Sequence, residues 1–177
     1  MEKGATNIIK IGIVGPESTG KSSLAKALAA RYDEPWVPEI ARSYVANLNR
    51  KYTLNDIVII AKLQLQQEQA LIAKAKKYLF CDTTLLVNKI WASFVFNEVP
   101  MAIQKLYHAN DYHLHLLCDI DLPWEFDPLR EHPNDRKELL ALYEHDLKKT
   151  KANYYMISGV EQERVQSAVE VIKKCFD

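Results

Sequence analysis

The sequence predicts an α/β fold with a mainly parallel, five-stranded sheet in three layers and helices on both faces. Short runs rich in β-branched and aromatic residues alternate with longer stretches of helical periodicity, and this alternation is typical of βαβ units. The chain has 177 residues, of which 48% are hydrophobic and 26% charged, as in an ordinary globular protein. We therefore expect one domain over residues 1–177.

Five apolar runs are predicted as the strands. They cover residues 8–14, 36–38, 78–82, 112–118 and 154–157. The helical patterns cover residues 20–32, 39–45, 53–77, 84–97, 102–108, 135–149 and 161–175. Residues 119–134 contain three prolines in a polar context, which excludes a helix or a central strand there.

Capping patterns predict where two of the helices begin. Thr53 with Asp56 three residues later resembles a capping pair at the start of the longest helix, and Asp135 with Glu138 repeats the pattern. The longest helix should then bury one apolar face, which carries Leu54, Ile57, Val58, Ala61 and Leu65.

Composition narrows the possible partners. Lys+Arg and Asp+Glu each number 23, so the chain lacks the basic excess that binds nucleic acid or anionic membranes. Cys81, Cys118 and Cys175 stand far apart in apolar surroundings, which is typical of reduced thiols. Residues 1–7 are polar, so no secretory leader is expected, and no apolar run reaches the ~20 residues of a membrane span. We expect a cytoplasmic protein whose partners are small molecules or other proteins.

The most specific motif is the run Gly15-Pro16-Glu17-Ser18-Thr19-Gly20-Lys21-Ser22, which has the spacing of a phosphate-binding loop. It lies between the first predicted strand and the first predicted helix, which is the context that this loop requires. Its glycines allow a tight turn whose backbone N–H groups point inward, beside the positive end of the helix. A glycine-containing turn without a ligand is the alternative.

This loop predicts binding of ATP together with Mg²⁺. Lys21 would place a mobile positive charge on the β- and γ-phosphates, and the Ser22 hydroxyl is suited to ligate Mg²⁺. The residues expected to hold the nucleotide are Gly15, Glu17, Ser18, Thr19, Gly20, Lys21, Ser22 and Ser23.

Two carboxylates are candidates for catalysis, because each follows a predicted strand and the carboxyl ends of parallel strands meet at one edge of the sheet. Asp82 could hold Mg²⁺, and Glu39 could orient or deprotonate an attacking hydroxyl. The alternatives are structural. Asp82 could be the N-cap of the next helix, and Glu39 could be a first-turn acidic residue that favours the helix dipole.

Three arginines accompany these carboxylates. Arg42 lies three residues after Glu39, so the two side chains share a helix face and either pair with each other or reach a bound ligand. Arg130 and Arg136 belong to the proline-containing stretch, which we interpret as a lid over residues 119–136. Such a lid would close on the triphosphate and place positive charge on the transferred group. An ordinary surface loop is the alternative.

Two tryptophans are candidates to stack on a planar ring of a substrate. Trp91 lies in a helical pattern, where packing in the core explains it nearly as well. Trp124 lies in the polar lid stretch, where core packing is harder to invoke.

Several blocks of the sequence together resemble one family of kinases. They are residues 15–22, Val37-Pro38-Glu39-Ile40-Ala41-Arg42, Tyr52-Thr53-Leu54-Asn55-Asp56-Ile57, Phe80-Cys81-Asp82-Thr83-Thr84, Lys89-Ile90-Trp91, and Pro123-Trp124 through Asp127-Pro128-Leu129-Arg130. In this order they resemble the nicotinamide riboside kinase domain of bacterial NAD-biosynthesis regulators, nearly from end to end. The resemblance implies a P-loop NTPase fold and ATP-dependent phosphorylation of the ribosyl 5′-hydroxyl of nicotinamide riboside, which gives nicotinamide mononucleotide.

The resemblance also implies roles for individual residues. It makes Lys21 and Ser22 the contacts to the triphosphate and the metal, and Asp82 a carboxylate that binds the metal or the substrate. It places Glu39 and Arg42 on the substrate side of the site. It makes Arg130 and Arg136 the arginines of the lid. Pro128 stands where the family pattern leads us to expect glycine. The first strand begins too early for the adenylyltransferase or DNA-binding parts of the multifunctional proteins, so we expect a stand-alone kinase. The alternatives are a kinase for another nucleoside, nucleotide or small metabolite, and a regulatory ATP-binding ATPase module.

Overall fold

Five parallel strands form one sheet that organises the molecule. The structure, a computed structural model, describes residues 7–177. The strands are β1 (Ile9–Val14), β2 (Trp36–Val37), β3 (Tyr78–Asp82), β4 (Leu114–Cys118) and β5 (Tyr154–Ile157). Their order is β2-β3-β1-β4-β5, and every neighbouring pair is parallel, which confirms the predicted sheet. The expected absence of a secretory leader rests on residues 1–7, of which residues 1–6 lie outside the described part of the chain.

Helices cover both faces of this sheet, so the three-layer prediction is also confirmed. They are α1 (Lys21–Tyr32), α2 (Ile40–Ala46), α3 (Leu54–Ile72), α4 (Leu85–Phe96), α5 (Met101–Leu106), α6 (Arg136–Lys149) and α7 (Gln162–Phe176). The helices α1 and α7 contribute to one apolar core, and α3 to α6 contribute to the core on the opposite face. None of the helices within residues 7–177 is long and apolar enough to cross a membrane.

The stretch between β4 and α6 contains neither helix nor strand. It covers residues 119–135 and is called the lid segment below. The prediction of a broken, proline-containing stretch in this place is therefore correct to within one residue.

The longest helix ends five residues earlier than predicted, at Ile72 rather than Lys77. The carboxylate of Glu34 accepts the backbone N–H groups of Lys76, Lys77 and Tyr78 at 2.8, 2.7 and 3.2 Å. Because these donors are engaged outside the helix, the chain turns there and enters β3. Apolar periodicity cannot reveal such a contact, since the acceptor lies more than forty residues away.

The buried face of α3 is more polar than the sequence suggested. Ile57 and Ala61 are buried as predicted, but Gln64 and Glu68 continue the same face and are also buried. Glu68 is accommodated because its carboxylate pairs with Lys10 at 2.7 Å and accepts the Tyr112 hydroxyl proton at 2.6 Å. Because these contacts satisfy the buried carboxylate, the buried face of α3 extends beyond the positions that the apolar pattern indicates.

The predicted β4 begins two residues too early. Tyr112 lies outside the strand, after a short 3₁₀ turn at Ala109–Asp111, and its backbone N–H donates to the Ala109 carbonyl at 3.4 Å. The strand starts only at Leu114, so the apolar run is longer than the paired segment.

Of the two predicted helix caps, only the first forms as expected. The carboxylate of Asp56 accepts the Thr53 backbone N–H at 2.7 Å, which confirms the capping pair. Asp135 occupies the N-cap position of α6, but its side chain makes no capping bond. Its carboxylate lies 3.1 Å from His132 Nδ1 instead, so the predicted side-chain cap is wrong.

Asp56 also joins α2 to α3. It accepts the Tyr44 hydroxyl proton at 2.9 Å and is paired with Arg50 at 2.7 and 2.9 Å. Arg50 and the Thr53 donors hold the pKa of the Asp56 carboxyl well below its usual range. This cluster fixes the position of α2, which carries the candidate residue Arg42.

We expect Asp56→Asn to lower the temperature of thermal unfolding at neutral pH, because the amide keeps the side-chain shape but removes the charge. Since the folded pKa is below the ordinary 3.8, the carboxylate adds stability above pH 3.8 and this gain is lost as the pH falls. The unfolding temperatures of variant and wild type should therefore converge between about pH 5 and pH 2. The exposed Asp111→Asn should match wild type throughout. A gap independent of pH would contradict this account.

Candidate active site

The loop between β1 and α1 has the backbone geometry of a phosphate cradle. Gly15 and Gly20 adopt φ angles of 136° and 76°, a region that favours glycine. A Cβ atom on Gly15 would lie 2.9 Å from the carbonyl oxygen of Cys118, so only glycine fits against β4. Gly20 is the N-cap residue of α1, which directs the free N–H groups of the helix end toward the loop.

Inside this loop, Lys21 and Thr19 share one acceptor. The Lys21 ammonium donates to the carbonyl of Pro16 at 2.6 Å, and the Thr19 hydroxyl donates to the same oxygen at 2.8 Å. The lysine is therefore folded over the loop, and its charge rests on a neutral carbonyl that a phosphate can replace. Thr19 is buried, and its hydrogen bond to Pro16 stabilises the conformation of the loop.

Asp82 lies at the end of β3 beside this loop, buried and incompletely satisfied. Its Oδ1 atom has no hydrogen-bond partner among residues 7–177. Burial and the nearby Glu39 charge raise the pKa of Asp82 to about 6, against the opposing influence of Ser22 and Lys21. An unpartnered carboxylate oxygen beside the Ser22 hydroxyl fits Mg²⁺, which binds through one or two protein oxygens together with phosphates.

The alternative role of Asp82 as a helix cap is wrong. Thr84 is the N-cap residue of α4, and its side-chain oxygen accepts the backbone N–H of Leu86 at 3.2 Å. Asp82 is therefore free of a capping role.

Glu39 and Arg42 lie together at the start of α2, as the spacing predicted. The Arg42 Nε atom is 3.8 Å from a carboxylate oxygen of Glu39, and its Nη1 atom donates to Asp127 at 2.5 Å. Asp127 belongs to the lid segment, so Arg42 connects α2 to the lid. Glu39 is half-buried at the N-cap position of α2, but its side chain makes no capping bond.

The lid segment rests on Ser18 of the phosphate loop. The Ser18 hydroxyl oxygen accepts the Glu125 backbone N–H at 2.9 Å and an Arg130 N–H at 3.3 Å. Arg136 donates to the Ser18 carbonyl at 3.2 Å and to the Leu122 carbonyl at 2.9 Å. Both predicted lid arginines are therefore brought to the phosphate loop.

Glu17 makes a contact that the motif did not predict. Its carboxylate accepts the backbone N–H groups of Glu131 and His132, each at 3.0 Å. The side chain is thus turned toward the lid segment, and any contribution of Glu17 to nucleotide binding comes from its backbone.

The two candidate tryptophans have different positions. Trp91 lines the cleft, and its indole N–H donates to the Tyr52 hydroxyl at 3.2 Å, with the ring centres 4.8 Å apart. Tyr52 donates in turn to Glu131 of the lid segment at 2.5 Å. Trp124 is not among the described residues that line the cleft. Its ring lies beside Arg136 instead, 5.8 Å from the guanidinium carbon.

One cleft of about 1470 Å³ is lined by most of these residues. The phosphate loop lines one end, here called the donor end, and the acceptor end is lined by Glu39, Arg42, Tyr52 and Trp91. Asp82 and Arg136 are not among the described residues that line the cleft, but Thr83, which follows Asp82, is. Its walls are completed by side chains that the sequence did not indicate, among them Phe94, Leu139 and Tyr143. These residues come from α4 and α6, and only the packing of those helices against the sheet brings them to the cleft.

A profile of the AAA domain family matches residues 10–164, which include the phosphate loop, both carboxylates and the lid segment. The chain belongs to the AAA domain family. No curated protein sequence matches this AAA domain.

Solved structures share the fold of this AAA domain. A NadR protein in complex with NR has a TM-score of 0.77 at 18% identity, and the match covers 95% of this chain and 49% of that chain. NadR in complex with NAD and AMP-PNP gives 0.74 at 16% identity with the same coverage. Thymidylate kinase from Ehrlichia chaffeensis gives 0.66 at 14% identity, covering 94% and 97% of the two chains. This AAA domain therefore has a P-loop kinase fold and spans about half the length of the NadR chains.

We expect Lys21→Ala to weaken ATP binding by roughly tenfold to a hundredfold, because it removes one charged hydrogen bond to the triphosphate. Isothermal titration with ATP and Mg²⁺ measures the loss. Lys26→Ala is the matched control, since Lys26 lies on the exposed face of the same helix and should leave the affinity unchanged. Equal affinities for Lys21→Ala and wild type would contradict the assignment of the loop.

Proposed function

We propose that this chain is a single-domain, ATP-dependent kinase that phosphorylates the 5′-hydroxyl of nicotinamide riboside to give nicotinamide mononucleotide. The observation that carries the proposal is the arrangement along one cleft. The phosphate loop and Arg130 line the donor end, and a carboxylate and an aromatic pair line the acceptor end. Two groups lie next to the loop without lining the cleft. They are the unpartnered carboxylate of Asp82, beside Ser22 and Lys21, and Arg136 of α6, which donates to the Ser18 carbonyl.

The cations of the donor end support transfer of a phosphoryl group. Lys21, Arg130 and Arg136 donate to the carbonyl oxygens of Pro16, Glu125 and Leu122, which are neutral acceptors. A triphosphate is a stronger acceptor, so these cations can turn to its oxygens. Their charge then stabilises the γ-phosphoryl group during transfer, which depends on positioning and neutralisation rather than covalent catalysis.

Two carboxylates have complementary proposed roles. Ser22 and Asp82 would hold Mg²⁺, which supplies charge neutralisation on the β- and γ-phosphates when bound. Glu39 lies at the acceptor end of the cleft, where its carboxylate accepts a hydrogen bond from the attacking hydroxyl and aligns it with the donor.

The charges of the acceptor end favour a nucleoside over a nucleotide. Arg42 is paired with Asp127 and Glu39, and Arg50 is paired with Asp56. A phosphate on the acceptor would need cations that are not already bound to carboxylates. Lys51 lies exposed at the rim of the cleft and is the cation that a nucleotide would have to use.

The aromatic pair at the acceptor end supports a substrate with a planar ring. Trp91 and Tyr52 are joined by the indole hydrogen bond, and both line the same cleft as Glu39. Aromatic faces attract cations as well as rings, and the nicotinamide ring of the riboside is a cation. The NadR protein whose fold resembles this chain was crystallised with NR, which supports the same substrate.

We expect ATP consumption by this chain to depend on added nicotinamide riboside. The experiment incubates the protein with ATP and Mg²⁺ and, in parallel, nicotinamide riboside, deoxyadenosine, thymidine or thymidine monophosphate, and detects phosphorylated products by mass spectrometry. Nicotinamide mononucleotide should form fastest. Preferred phosphorylation of thymidine monophosphate would contradict the charge argument, and hydrolysis that no acceptor stimulates would favour a regulatory ATPase module.

We expect Asp82→Asn to lower kcat by roughly a hundredfold or more, because the amide cannot replace a carboxylate beside the triphosphate. Burial already disfavours the charged form of Asp82, so the neutral amide should not lower the unfolding temperature at pH 7. Steady-state kinetics and thermal unfolding measure the two effects. Asp111→Asn, at an exposed carboxylate, is the matched control for both. Near wild-type kcat in Asp82→Asn would remove Asp82 from the mechanism.

A further inference from the structure

The contact between Glu17 and the lid segment is separate from the groups that bind phosphate. Glu17 lies in the middle of the phosphate loop, yet its carboxylate accepts two lid N–H groups, those of Glu131 and His132. Its second oxygen lies 3.3 Å from the Glu131 nitrogen. Hydrogen bonds to a carboxylate are stronger than neutral ones, so the lid is held by charge-assisted bonds.

The next residue of the loop holds the other side of the lid segment. Ser18 accepts the Glu125 backbone N–H, and Glu17 accepts the N–H groups at 131 and 132. Arg130 lies between these two attachment points. Its guanidinium is therefore placed at the phosphate loop by adjacent residues of that same loop.

In the lid segment, the hydrogen-bond partners of Glu17 are backbone N–H groups, so the contact positions the backbone rather than a side chain. Backbone N–H groups position the chain without regard to the lid side chains, so the contact sets the path of residues 131–132. The Glu131 side chain remains free to accept the Tyr52 hydroxyl proton at the acceptor end. Through Glu131, the contact therefore links the donor end to the acceptor end.

We propose that Glu17 is a positioning residue that holds the lid segment on the phosphate loop and thereby sets Arg130 for phosphoryl transfer. The proposal rests on the proposed kinase function for its kinetic part. Glu17 acts through the lid and does not touch the reacting atoms. A carboxylate in this loop would repel the triphosphate if it pointed inward, and its outward bonds to the lid remove that conflict.

Hydrogen exchange tests the contact without any enzymatic turnover. The backbone N–H groups of Glu131 and His132, measured by NMR with AMP-PNP and Mg²⁺ present, should exchange at least about tenfold faster in Glu17→Ala than in wild type. Glu17→Gln keeps one acceptor oxygen and should retain part of the protection. Glu138→Ala removes an exposed carboxylate of α6 and should leave both rates unchanged. Equal protection in Glu17→Ala and wild type overturns the proposal.

Kinetics test whether the contact acts through Arg130. We expect Glu17→Ala to lower kcat by about tenfold to a hundredfold while the KM for ATP changes by less than about threefold, because the loop backbone is intact. In an Arg130→Ala background, the same change should lower kcat by less than about twofold. If the losses in kcat multiply in the double variant, the positioning role is overturned. An unchanged kcat in Glu17→Ala also overturns it. If wild type phosphorylates no riboside, the kinase proposal fails, and the exchange rates still decide whether Glu17 holds the lid.

Discussion

The parallel pairing of β1 with β3 is the constraint on which the whole site depends. In this pairing Ile13 lies opposite Asp82, so the strand that leads into the phosphate loop ends beside the buried carboxylate. Every residue of β3 is buried, and helices pack on both faces of the sheet. The phosphate loop and Asp82 lie at the ends of adjacent, packed strands, so apolar packing fixes the distance between them.

The cations next to the phosphate loop named above differ from Arg42 in the kind of acceptor that holds them. At the donor end, Lys21 and Arg136 rest on neutral carbonyl oxygens, which compete weakly with phosphate. At the acceptor end, Arg42 is held by carboxylates. Lys21 and Arg136 can therefore turn to a phosphate oxygen more easily than Arg42 can.

Local rules were enough to predict the parts of the fold and site that depend on near neighbours in sequence. The phosphate loop, the strand ending in Asp82 and the capping pair at Thr53 and Asp56 each follow from residues within one turn or strand. Glu39 and Arg42 share a face because they are three residues apart. These features are dictated by backbone geometry and side-chain type, which the sequence displays directly.

The features that sequence could not predict depend on contacts between distant segments. The carboxylate of Glu17 reaches residues more than a hundred positions away, and Tyr143 lines the cleft only because α6 packs against α4. Trp124 belongs to the lid as expected, but the path of the lid turns its ring toward Arg136. Side-chain direction in an irregular segment is set by such contacts, so residue type alone gives no guide to it.

The contact of Glu34 with residues 76–78 has a consequence for the distant site. Its carboxylate accepts the N–H groups of Lys76 and Lys77, just before β3, and of Tyr78, the first residue of the strand, at the end of the strand away from the phosphate loop. Successive residues of a strand point to opposite faces, so a slip of one position there would carry Asp82 to the wrong side of the sheet. By binding the chain where β3 begins, Glu34 favours the register seen in the pairing with β1, in which Asp82 lies opposite Ile13.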